Sequence, residues 1–118
     1  MEFLKKHVRP GLVVLEMTGS ICIGPKCQQV EQHVDEIIRQ DERWVIFDLS
    51  GVTYVDSAGI GTIVRSLCRL KKSGGTLRLA GVKGMVEGVL KLTQIIRIIE
   101  VYPTVAEASQ DLPPVRYP

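Results

Sequence analysis

Two hydrophobic periods alternate along this chain, and a chain that alternates them has few ways to fold. Leu12-Val13-Val14-Leu15-Glu16-Met17-Thr18 and the nearly continuous apolar run Trp44-Val45-Ile46-Phe47-Asp48-Leu49 read as strands, as do Thr76 to Ala80 and Ile98 to Tyr102. Between them the apolar residues recur every three to four positions. Cys27, Val30, Val34, Ile37 and Ile38 follow Gly24-Pro25 up to Gln40, and Ile60, Ile63, Val64, Leu67 and Cys68 follow Asp56-Ser57-Ala58-Gly59. Ser73-Gly74-Gly75 stops that second helix. Met85, Val86, Val89 and Leu90 predict a shorter helix despite Gly84 and Gly88, and the Thr104/Glu107 pair opens a last one. Upstream, Phe3 to Val8 reads as a polar edge strand folded back by Pro10-Gly11.

The order β-β-α-β-α-β-α-β-α predicts the α/β class: a mixed, mostly parallel sheet with an N-terminal hairpin edge strand, packed against about four helices. With 118 residues the chain holds one core, expected over 1–111, and residues 112–118, rich in proline, read as a loose tail.

Composition then removes function classes. Fifteen basic and 13 acidic residues leave a scattered net charge of +2, so a nucleic-acid partner is not expected. Aromatic residues are 5% of the chain, too few for a base-stacking platform or an aromatic sugar cleft. The first residues lack the apolar run of a signal peptide and no stretch suits a bilayer span, so the chain reads as cytoplasmic, with no direct membrane insertion. Cys22, Cys27 and Cys68 match no metal or redox spacing and read as small, reduced, buried residues; neither a metal site nor a cofactor is expected.

In a parallel sheet the informative positions lie where the chain leaves the carboxyl ends of central strands, here Ser50 to Gly61, read as a loop. Ser57 stands where extended backbone gives way to helix. Its hydroxyl has two readings: a cap on the free amides of the helix, or a modified side chain whose phosphate would meet the positive helix end. Gly59 and Gly61 weaken the helix's first turns, which suggests a surface kept bare so that a partner's backbone can approach. A catalytic reading would join Ser57 to Asp56 and His7 or His33. The nucleophile elbow Gly-x-Ser-x-Gly is missing, however, so an enzyme and a small-molecule substrate are not expected. Neither glycine-rich phosphate-loop motif is present.

The stretch Val45-Ile46-Phe47-Asp48-Leu49-Ser50-Gly51-Val52-Thr53-Tyr54-Val55-Asp56-Ser57-Ala58-Gly59-Ile60-Gly61 resembles the signature of STAS domains, specifically those of anti-sigma factor antagonists. The likeness continues through Gly74 to Gly81 and Val89 to Ile99, and so covers roughly Leu12 to Ser109. The resemblance implies a partner switch. Unphosphorylated, such a protein binds an anti-sigma factor that is itself a serine kinase and frees a sigma factor; phosphorylation of the residue after the aspartate, here Ser57, releases it, and a serine phosphatase resets it. The implied partner surface comprises Gly19, Ser20, Ile21, Cys22, Tyr54, Asp56, Ser57, Ala58, Gly59, Ile60 and Gly61. The family usually carries an aspartate in a Gly-x-Ile-Asp pattern, whereas here the stretch is Gly19-Ser20-Ile21-Cys22. That departure keeps a second expectation open: a non-switching STAS subunit of a transporter or signalling assembly, with nucleotide binding as a variant of it.

Overall fold

The computed structural model describes residues 2–112. Five strands form one sheet in the order β1-β2-β3-β4-β5: β1 (Glu2–Arg9), β2 (Leu12–Ile21), β3 (Trp44–Val55), β4 (Thr76–Ala80) and β5 (Glu100–Tyr102). The β1–β2 hairpin is antiparallel, and every later pairing is parallel. The crossovers are α1 (Pro25–Arg39), α2 (Ser57–Lys72) and α3 (Gly84–Leu92) with a short 3₁₀ turn at Ile95–Arg97, and α4 (Val105–Ala108) follows β5. The mixed α/β sheet with its hairpin edge strand is therefore the architecture expected from the alternating periods.

Strand order follows chain order, so each crossover steps one strand further in the same direction. A shared right hand then lays all three crossover helices on one face. The packing agrees: Val30, Val34 and Ile37 of α1, Ile63 and Leu67 of α2, and Val86 and Leu90 of α3 bury against Val13, Leu15, Val45, Phe47, Leu77 and Leu79. The opposite face carries a smaller cluster, Leu12, Val14, Ile46 and Ala80, covered by Ala108 of α4 and by Leu112. This two-sided burial accounts for the unbroken apolar run in the first half of β3.

Four expectations need correction. Leu112 is buried at the edge of the smaller cluster rather than starting a loose tail, and Arg9 donates to its carbonyl at 2.7 Å; positions 113–118 lie outside the described residues. Cys68 is exposed, because the eight-residue step from Ile60 drifts off the buried stripe of α2, and Cys22 is half-buried; Cys27 alone of the three is buried. Ile98 and Ile99 precede β5 instead of belonging to it, since the 3₁₀ turn holds them: the Ile98 and Ile99 amides both donate to the Ile95 carbonyl. Finally, β2 and β3 run three and six residues longer than their apolar patterns, which shapes the site described next.

Candidate functional site

The expected loop from Ser50 is β3 up to Val55, and only Asp56 separates strand from helix. Beyond Asp48, which pairs with Ala80, β3 has no neighbour on the β4 side and pairs with β2 alone. Its apolar pattern therefore fades to Ser50, Thr53 and Tyr54, all exposed. Two register shifts, at Glu16/Thr18 and Gly19/Ser20, bend this ribbon, and a Cβ at Gly51 would come within 2.7 Å of the Thr18 methyl carbon. Glycine is present there because the strands approach too closely for a side chain.

Asp56, not Ser57, caps α2. Its backbone is extended, one carboxylate oxygen accepts from the Gly59 amide at 2.8 Å, and the other accepts from the Ile23 amide at 2.9 Å. One side chain thus closes the helix start and ties it to the turn after β2. Those two amides, Ile23 first, hold the Asp56 carboxyl below the usual carboxylate range. Ser57 is consequently the first residue of the helix. It is exposed, and no hydrogen bond engages its hydroxyl among the described residues. His33 packs on Phe3 with ring centroids 4.8 Å apart, and His7 faces Glu42 at 3.6 Å, so the contacts of both imidazoles among the described residues lie away from Ser57.

The two helix glycines differ. A side chain at Gly59 would collide with the Ile21 carbonyl oxygen and crowd Val55, so this glycine lets α2 pack against the ends of β2 and β3 and is buried. It is not the bare contact point expected from its position. Gly61 would meet the guanidinium of Arg65, a flexible side chain that also donates to Glu31 at 2.8 Å and to the Thr62 hydroxyl at 3.3 Å. Of the implied partner surface, Ser57 and Tyr54 are exposed, and Gly19, Ser20, Cys22, Asp56, Ala58 and Gly61 are half-buried. Ile21 and Ile60 are buried with Gly59.

The structure adds a residue that the sequence reading passed over. Ile23 is 82% exposed on the turn that Asp56 holds, beside the start of α2. An isoleucine isolated between Cys22 and Gly24-Pro25 belongs to neither hydrophobic period, and that isolation is the only signal the sequence gives of it. Ser57, Ile23 and Tyr54, all exposed, thus share one end of the sheet.

The chain matches the STAS domain profile over residues 4–108. A Thermotoga maritima protein named "Putative anti-sigma factor antagonist" is 35% identical over 78 residues, covering 66% of this chain and 69% of that protein. A crystal structure from the same organism with the same description superposes with a TM-score of 0.78 at 27% identity, covering 92% of each chain. The Bacillus anti-sigma factor antagonist SpoIIAA, solved in unphosphorylated and phosphorylated forms, shares the fold: the unphosphorylated form gives a TM-score of 0.72 at 16% identity, covering 93% of this chain and 96% of that one. A sulfate transporter family protein from Wolinella succinogenes shares it as well, with a TM-score of 0.76 at 22% identity over 87% and 85% of the two chains.

Proposed function

Since the chain belongs to the STAS domain family, we propose that it is an anti-sigma factor antagonist whose binding to a serine-kinase anti-sigma factor is switched off by phosphorylation of Ser57 and restored by a serine phosphatase. The carrying observation is the position of Ser57: exposed, unbonded, and first in a 16-residue helix whose cap is supplied by its neighbour. Because Asp56 already does the capping, Ser57 can be modified without removing a support of the fold. Its phosphate would sit at the positive helix end, where free amides and the helix dipole favour an anion.

The same anion is costly to a partner. Two unit charges about 8 Å apart at an effective dielectric near 20 repel by ~2 kcal/mol, and a phosphate carries roughly 1.5–2 charges. At about 1.4 kcal/mol per decade of affinity, one phosphate facing an acidic patch loosens the complex ten- to several-hundred-fold. The switch then requires no change of shape in this protein. The likeness to SpoIIAA, a protein known with and without phosphate, supports the reading.

Incubation with the cognate kinase and ATP is expected to add one phosphate by mass, and none to Ser57→Ala. Ser57→Asp should weaken binding to the kinase at least tenfold. An unmodified mass beside a demonstrably active cognate kinase would sink the switching mechanism.

Cys22, at the position of the family's usual aspartate, favours a second reading: a STAS subunit that binds its partner constitutively. The fold shared with a sulfate transporter family protein is compatible with it. Here Ser57→Ala and Ser57→Asp would bind the co-purified partner equally well, and identifying that partner from the host separates the two readings.

A further inference from the structure

A second feature lies away from Ser57, between α3, the 3₁₀ turn and the β4–β5 edge. A cavity of about 490 Å³ opens there, within the roughly 300–1,000 Å³ range of small-molecule sites. Its lining includes the core residues Leu77, Leu90 and Ile99, each at most 3% exposed, together with Ile96, Ile98 and Val101, which are 47%, 52% and 37% exposed. Large apolar side chains left in water around a concave surface are a costly arrangement, and they call for an occupant. The turn that presents Ile96 and Ile98 is itself held at a cost, because Gln94, which precedes it, adopts a left-handed conformation with φ of 61°.

Charge at the opening selects the occupant. Five charged residues line the cavity: Lys71, Lys91, Arg97, Glu87 and Glu100. Of the two acids, Glu87 pairs within the lining with Lys91 at 3.6 Å, and Glu100 pairs with Arg78 at 3.3 Å and accepts from the Tyr102 hydroxyl at 2.7 Å. Lys71 and Arg97 have no ion pair among the described residues. No aromatic ring lines the space, so nothing there stacks a nucleobase. Exposed apolar side chains at Ile96, Ile98 and Val101 beside two cations without an ion pair among the described residues fit a flexible alkyl chain ending in a carboxylate.

We propose that this cavity binds an aliphatic monocarboxylate, its chain along Ile96, Ile98 and Val101 and its carboxylate at Lys71 and Arg97. Burial of the chain supplies affinity in proportion to its length, and the cations supply the preference for an anionic head. The inference stands apart from the switch at Ser57 and does not depend on it.

The test uses decanoate, decanol and butyrate as probes, each below its aggregation concentration, with calorimetry and amide chemical-shift mapping on the intact chain. Decanoate is expected to bind saturably with one-to-one stoichiometry, moving amides of residues 77, 90 and 96–101. Decanol and butyrate should each bind at least tenfold more weakly. The double variant Lys71→Gln, Arg97→Gln should lower decanoate affinity about tenfold and leave decanol unchanged. Ile98→Glu, at a half-exposed position that tolerates a charge, should abolish decanoate binding while preserving the folded spectrum. The proposal is overturned by shifts spread over the surface without saturation, by equal binding of butyrate, or by a double variant that binds decanoate as well as the parent does.

Discussion

At the scale of single residues, the division of labour between Asp56 and Ser57 decides what can vary. Both residue types cap helices well, and the sequence reading gives the role to Ser57 alone. The extended backbone at Asp56 corrects this by aiming that carboxylate at the Gly59 amide while its second oxygen takes Ile23. Removing Ser57 therefore loses no cap, whereas removing Asp56 loses two charge-assisted bonds. Thermal melts are expected to show Ser57→Ala within about 0.5 kcal/mol of the parent, as for ordinary exposed positions, and Asp56→Ala clearly lower. Acidification tests the same contact. The folded-state carboxyl is held below its ordinary value of 3.8, so the charged form stabilises the fold above that value and the contribution is lost as pH falls through the lower, folded one. A pH series of melting temperatures should show part of the decline below about pH 4 disappearing in Asp56→Asn. Retention of the full acid decline in that variant would mean that other carboxylates carry it.

Elements were legible where the apolar pattern was complete and illegible where a neighbouring strand was missing. The first half of β3 lies between β2 and β4 and is covered on both faces, so it reads as a strand; the second half has one neighbour and exposed polar residues, so it reads as a loop. The 3₁₀ turn escaped notice because Ile95, Ile96, Ile98 and Ile99 look like strand residues, while the αL conformation of Gln94 has no strong sequence mark. Glycines were legible as exceptions, but their reasons were not. Gly59 reads as bare surface in the sequence and is in fact a packing contact with Ile21. Helix propensity and space now separate them. Gly88 lies inside α3 with nothing within 4 Å of a built Cβ, so Gly88→Ala should stabilise by up to ~1 kcal/mol. Gly59→Ala gains the same propensity but must push α2 off the Ile21 carbonyl, and it should lose about 2 kcal/mol or more, on the scale of overpacked core sites. Denaturant midpoints of the two variants moving in the same direction would contradict this packing account.

For the molecule as a whole, one buried cation joins what the crossover helices do not reach. Winding in a single direction leaves the second face of the sheet nearly bare, and α4, with four residues, is far too short to be stable by itself. Arg78 holds it there. Only 8% exposed, it donates to the carbonyls of Ala108 and Gln110, both at 2.8 Å, pairs with Glu100 at 3.3 Å and lies 5.0 Å from the centre of the Tyr102 ring. A β4 side chain thus terminates α4, fixes β5 and closes the cluster of Leu12, Val14, Ile46, Ala80 and Leu112. Sequence reading could not find this role, because an arginine between Leu77 and Leu79 looks like the outward residue of a half-buried strand. Replacing it by leucine keeps the apolar stem but leaves two carbonyls without their donor, each worth roughly 1–3 kcal/mol when buried. Arg78→Leu should therefore cost about 2–4 kcal/mol, with amide exchange accelerated first in residues 105–112 and β5, and the α1 and α2 side of the core protected until global unfolding. Uniform loss of protection across both faces would instead show that the second face folds and unfolds as one unit with the first, and that Arg78 supports the whole core rather than its C-terminal cover.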